Sequence, residues 1–257
     1  VNAYADYEQL VGGVDTLFKG SSQKLQSYAS NAYKTAGLSA NDYMETVTGF
    51  SASLIQSLGG DTDKSVKYAD MAITDMADNA NKMGTDMSLI QNAYQGFAKQ
   101  NYTTLDNLKL GYGGTKEEMQ RLLSNAEKIS GIKYDISSYA DVVDAIHVMQ
   151  ESMDIAGTTA KEAEGTISGS VNALKSSVTN LVVGFGDANA DLGELCENVV
   201  TAFQTVLENI SPIVENLISA LPTVITTLLE SAGEMLPTVL ETLAELFACL
   251  LYTSDAA

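Results

Sequence analysis

Apolar positions recur at intervals of three and four through most of the chain, the spacing that gathers them on one face of an α-helix. In residues 1–58 the stripe runs Tyr4, Leu10, Val14, Leu17, Leu25 and Tyr28, then Tyr43, Val47, Phe50, Leu54 and Leu58. Ser39, ahead of Asn41 and Asp42, is an N-cap candidate, and Gly59-Gly60 closes the segment. The clearest helix spans 61–83, with Val66, Ala69, Ile73, Met76, Ala80 and Met83 in phase, Asp61 as cap and Gly84 as stop. Leu89, Ile90, Ala93, Tyr94 and Phe97 predict another over 87–99. NYTTLDNLKLGYGG then loses the period and reads as a loop.

Helical spacing resumes with Met119, Leu122, Leu123, Ala126 and Ile129, ending at Gly131. It returns over 137–155 with Tyr139, Val142, Val143, Ile146, Met149 and Met153. Thr158 or Thr159 is the expected cap of a small-residue helix from 160 to about 183. Its apolar side is Ile167, Val171, Leu174, Val178, Leu181 and Val182, and Gly165 and Gly169 suggest close helix–helix contact.

GFGDANADLG at 184–193 reads as a linker. Three apolar helices are expected beyond it, at 194–211, 213–231 and 235–250, the later ones opened by Pro212 and by the prolines of two LPTV stretches at 221 and 236. Proline suits a first turn, where its missing N–H costs nothing, and kinks a helix interior. The region is therefore a set of short helices or one repeatedly bent rod. The chain as a whole reads as all-α: a multi-helix core domain over 1–186, a linker at 187–193, proline-punctuated apolar acidic helices over 194–248, and a tail at 249–257 that resembles sequencing read-through. The start, VNAYADYEQL, looks like the middle of a longer reading frame.

KLGYGGTKEEMQR at 109–121 invites a phosphate-loop reading. That loop requires Lys directly after the last glycine and Ser/Thr after the Lys; here Thr115 precedes Lys116. Thr115 and Glu118 instead form the Thr-x-x-Glu of a capping box, in which Glu118 is expected to reach back to the Thr115 N–H.

The net charge is −19, Arg121 is the one arginine, and no Lys or Arg follows Lys175. Such a chain lacks the cations that neutralise nucleic-acid phosphates, and an anionic membrane surface would repel its last third. The longest uncharged run there lies between Glu215 and Glu230, is short for a membrane span, and is interrupted by Pro222. Packing of these helices on one another or on further copies is the favoured expectation. Cys196 and Cys249 form no disulfide framework. His147 is the single histidine; Asp141, Asp144 and Glu151 lie near it in sequence, but one His makes neither a familiar zinc site nor a nucleophilic triad, and a packed histidine is the expectation. No catalytic, cofactor-binding or metal-binding residue, and no cofactor, is assigned.

QNAYQGFAKQNYTTLDNLKLGYGGTKEEMQRLL at 91–123 resembles the core of phage tail tape-measure proteins, as does DMADNANKMGTDMSLIQ at 75–91. AIHVMQESMDIAGTTAKEAEGTISGSVNALKSSVTNLVVGFGD at 145–187 resembles the segment that follows that core, and the resemblance runs collinearly over about 20–187. It implies a non-enzymatic virion structural protein. Such a protein acts as a ruler and scaffold for tail-tube assembly and leaves the tail during DNA ejection. It implies a homo-oligomer, with the tail-tube protein, tail assembly chaperones and distal tail or baseplate proteins as partners. The locations implied are the tail lumen and, during assembly, the host cytoplasm. Contact with a host membrane during ejection is also implied. The rival readings are a membrane-active helical protein, centred on 194–250, and a muralytic enzyme fragment.

Overall fold

A computed structural model describes the backbone of residues 2–254 and the side chains of residues 4–241. Among the described residues there is no strand, and the chain is all-α. The helices are α1 Asn2–Phe18, α2 Ser22–Thr35, α3 Ala40–Thr48, α4 Ser51–Ser57, α5 Thr62–Met83, α6 Met87–Phe97, α7 Lys116–Ser130, α8 Tyr139–Ser152, α9 Thr158–Gly165, α10 Ile167–Gly184 and α11 Leu192–Ser254, with 3-10 turns at Lys19–Ser21 and Leu105–Leu108. Contacts divide the chain into two units, one reaching Asn209 and the other beginning at Ile210.

The first unit is built around α5. Asp61 accepts from the Lys64 N–H at 2.9 Å and Gly84 closes the helix at φ 63°, where a Cβ would be strained. Its apolar residues Val66, Ala69, Ile73 and Met76 are fully buried. Helices α1–α4, α6, α8 and α9 pack around it. Phe18, Leu25, Tyr43, Leu54, Tyr94 and Phe97 fill the core between them. In α1 the most buried aromatic is Phe18, with Leu17 packed partly against the core.

The stretch from 101 to 114 lacks helical period yet is part of the core. Tyr102, Leu105, Leu108, Leu110 and Tyr112 are all buried. A Cβ at Gly114 would collide with the Thr103 carbonyl, so a glycine is required where this strap folds back on itself.

The expected helix from 160 to 183 is instead two. Thr166 breaks it in an extended conformation, φ −127° and ψ 151°, and caps α10 by accepting from the Gly169 N–H at 3.0 Å. A Cβ at Gly169 would strike the Glu162 carbonyl, so this glycine permits the tight α9–α10 corner, whereas Gly165 borders open space. Neither Thr158 nor Thr159 is the cap of α9. Gly157 holds that place at φ 80°, without a side-chain bond. The acceptor comes from α5: the buried Asp78 carboxylate takes the Gly157 N–H at 2.6 Å and the Thr159 N–H at 2.8 Å.

Of the stripe expected to be buried on α10, Ile167, Leu174 and Leu181 are half-buried, while Val171, Val178 and Val182 are exposed. The docked face is small and polar: Ser170, Ala173, Ser176, Ser177 and Asn180. Asn180 accepts from the Ala40 N–H at 2.8 Å, and Asn172 and Ser176 donate to the Gly37 carbonyl at 2.9 and 3.0 Å. Ile129 and Met153, also expected inside, are exposed.

The 184–193 segment forms turns rather than a free spacer. Asp187 accepts from Asn189 N–H and Asp191 from Glu194 N–H, and a Cβ at Gly186 would overlap the Tyr4 ring. The first unit continues beyond it: Asn198 accepts from the Tyr33 hydroxyl, Ala202 and Val206 are buried, and Asn209 donates to the carbonyls of Glu164 and Thr166. Separate helices at 194–211, 213–231 and 235–250 are not formed. In their place α11 runs through Pro212, Pro222 and Pro237. Those prolines stand on exposed turns, where water can reach the carbonyls they leave unbonded. The suspected tail at 249–257 lies outside the described residues, apart from the helical backbone that reaches Ser254.

Two substitutions separate necessary from dispensable buried polarity. Asp78→Ala leaves two N–H groups without an acceptor and should cost about 2–4 kcal/mol in urea denaturation. The fully buried Tyr94 hydroxyl has no hydrogen-bond partner among the described residues, so Tyr94→Phe should be neutral or stabilising by up to ~1 kcal/mol.

Candidate functional site

The polar face of α5 continues toward α8. The Asp75 carboxylate is buried, and His147 Nδ1 lies 2.9 Å from its Oδ1 and 3.0 Å from its Oδ2. The other ring nitrogen lies 3.4 Å from Glu151. Gln150 donates to the Asp75 carbonyl and accepts from Asn79, which also donates to the Leu108 carbonyl. The sequence neighbours Asp141 and Asp144 are not the partner that orients His147. Asp75 is, from 72 positions away.

Burial raises the Asp75 carboxyl to about 6, with His147 opposing the rise. The hydrogen bond to Asp75 raises the His147 imidazole against the desolvation that lowers it, and Glu151 and Asp144 add to the rise. An Asp–His pair serves nucleophilic catalysis only when the free ring nitrogen meets a hydroxyl or thiol. Here that nitrogen faces the Glu151 carboxylate. The pair acts as a buried tie between α5 and α8.

The glycine-rich loop is also self-satisfied. Thr115 Oγ1 accepts from the Glu118 N–H at 3.2 Å, as expected of the cap. The reciprocal half differs. Glu118 takes the Gly113 N–H at 3.0 Å, while the Thr115 N–H goes to the Gly113 carbonyl. Arg121 pairs with Glu118 at 2.6 Å, donates to the Gly111 carbonyl at 2.8 Å and lies over the Tyr112 ring at 4.3 Å. With Arg121 and the Gly113 N–H beside it, the Glu118 carboxyl falls to about 2. The Gly113 N–H is occupied by the protein's own Glu118 carboxylate, and the sole arginine holds the loop through Glu118 and the Gly111 carbonyl.

No group of three or more His, Cys, Asp or Glu among the described residues could hold a metal ion. A hollow of about 490 Å³ between α7 and residues 133–136 carries Glu127 and Lys133 but no nucleophile–base pair. Cys196 is a free, exposed thiol, and Cys249 lies outside the described side chains.

What the structure does present is apolar surface. Every residue from 211 to 241 is exposed, including Leu217, Ile218, Leu228, Leu229 and Leu236. The helix is long and apolar enough, by length and composition, to cross a membrane. No protein-family model, curated protein or solved structure matches the chain.

The Asp75–His147 pair makes stability depend on pH. Both groups hold their protons more tightly when folded. The Asp75 contribution is complete below its ordinary value of 3.8 and is lost as pH rises through about 6. The His147 contribution is complete below 6.5 and is lost as pH rises through its higher folded value. The urea midpoint of the first unit should therefore fall from pH 5 to pH 8, and Asp75→Asn should flatten that fall.

Proposed function

We propose that the chain is a structural, non-enzymatic part of a phage tail tape-measure protein. In this reading its helical length contributes to the length of the tail tube, and it leaves the tail ahead of the DNA. The observation that carries it is α11: sixty-three residues of continuous helix, about 95 Å at 1.5 Å per residue, with an apolar surface left uncovered. A ruler must be extended, and an extended helix of this composition needs neighbours along its length. The resemblance of residues 20–187 to tape-measure cores supplies the context. The His147 and Gly111–Arg121 clusters, each closed by internal partners, give no support to a muralytic activity. The expected neighbours are further copies, tail-tube subunits, assembly chaperones and distal tail or baseplate proteins, within the tail lumen and, before that, the host cytoplasm.

A second reading, insertion of α11 into a host membrane, is favoured by its length and mean hydropathy of 1.4 over the apolar window. Electron microscopy of tails separates the two. Deleting residues 221–235 in the parent phage should shorten tails by about 22 Å, at 1.5 Å per residue, and duplicating them should lengthen tails equally. Tails of unchanged length with failed ejection would move α11 to the membrane reading.

A further inference from the structure

Beyond residue 210, α11 carries an eleven-residue apolar repeat. Counted from Ile210, the first, fourth, fifth, eighth and ninth places are Ile210, Ile213, Val214, Leu217 and Ile218. The same five places are apolar in the next three blocks, which begin at Leu221, Ala232 and Leu243. All three prolines and every glutamate of the region fall on the other six places. The fifteen-residue spacing of the two LPTV stretches is one block plus one helical turn, so it keeps the stripe intact. A strict seven-residue seam started at Ile210 would instead bury Thr227, Ser231 and Glu234.

The period decides the geometry. Eleven residues in three turns is about 3.67 per turn, slightly more than the 3.6 of a straight helix, and such a stripe stays in register only if helices wind around each other with a right-handed twist. The five places cover an arc of about 130° at that period, wide enough for a neighbour on either side. The polar back, rich in Ser, Thr and Glu, sets α11 apart from a lipid-embedded helix, which is apolar all round. Thirteen large apolar side chains between Ile213 and Leu240 are 44–68% exposed. At roughly 80 Å² each they offer on the order of 1,000 Å² per copy. That exceeds the ~800 Å² a partner contributes to a stable interface. The surface that repeats with the same period, and so matches along its whole length, is this helix itself.

We propose that residues 210–240 assemble with the same residues of further copies into a right-handed helical bundle of at least three strands, closed through this eleven-residue stripe. The inference deepens the expectation that further copies are neighbours of α11, and its test reads the purified chain rather than tail length, so the two can fail separately.

The test uses the full chain with Cys196→Ser and Cys249→Ser, carrying one new thiol at a time. Sedimentation equilibrium should give three or more copies. In the assembled range Leu229→Cys and Leu240→Cys should react with a hydrophilic maleimide at least tenfold more slowly than Thr227→Cys and Ser231→Cys, and dilution should remove the difference. A monomer or dimer, equal reactivity at all four places, or protection at Thr227→Cys and Ser231→Cys would overturn the proposal. So would protection of the stripe only when phosphatidylcholine vesicles are added.

Discussion

The first unit depends on one helix face that is polar and yet buried. Asp75, Asp78 and Asn79 stand in the middle of α5 with almost no exposure. Each is held from outside α5: Asp75 by His147 of α8, Asp78 by the first N–H groups of α9, and the Asn79 amide N–H groups by the Leu108 carbonyl and Gln150, while the Asn79 Oδ1 has no hydrogen-bond partner among the described residues. A buried polar group without a partner costs far more than a satisfied one returns. The two carboxylates and the Asn79 N–H groups therefore disfavour any arrangement of α8, α9 and the 101–114 strap that breaks these bonds. The apolar core supplies the driving force, and the polar face of α5 selects the arrangement.

The same division explains what the sequence disclosed. Helices with local caps and a regular stripe were legible: α5 between Asp61 and Gly84, α3 after Ser39, α7 after Thr115, and α8. Features set by distant partners were not. The cap of α9 comes from Asp78, 79 positions from Gly157, and no local pattern announces it. The docked face of α10 is Ser- and Asn-rich because it bonds the Gly37 carbonyl and the Ala40 N–H, so Val171, Val178 and Val182, read as buried, are exposed. The 101–114 strap has no period, yet its Tyr and Leu content was a signal of burial. The His147 partner was missed because sequence proximity favoured Asp141 and Asp144 over Asp75.

The prolines of α11 carried two readings from sequence, and the continuous helix resolves them. A helix interior with proline loses a hydrogen bond and bends, at about 3 kcal/mol or more each, so such a helix persists only where something else favours it. In the proposed bundle, residues held helical by a shared eleven-residue seam would regain the lost stability through burial. The two units thus solve different problems. The first closes upon itself through α5, and the second leaves its apolar face exposed.

Amide hydrogen exchange of the full chain across a concentration series tests this division most directly. Protection across 210–240 should rise with concentration and vanish on dilution, while protection in α5 and α8 stays constant. Protection in 210–240 that is strong and independent of concentration, or absent at every concentration, would contradict the account.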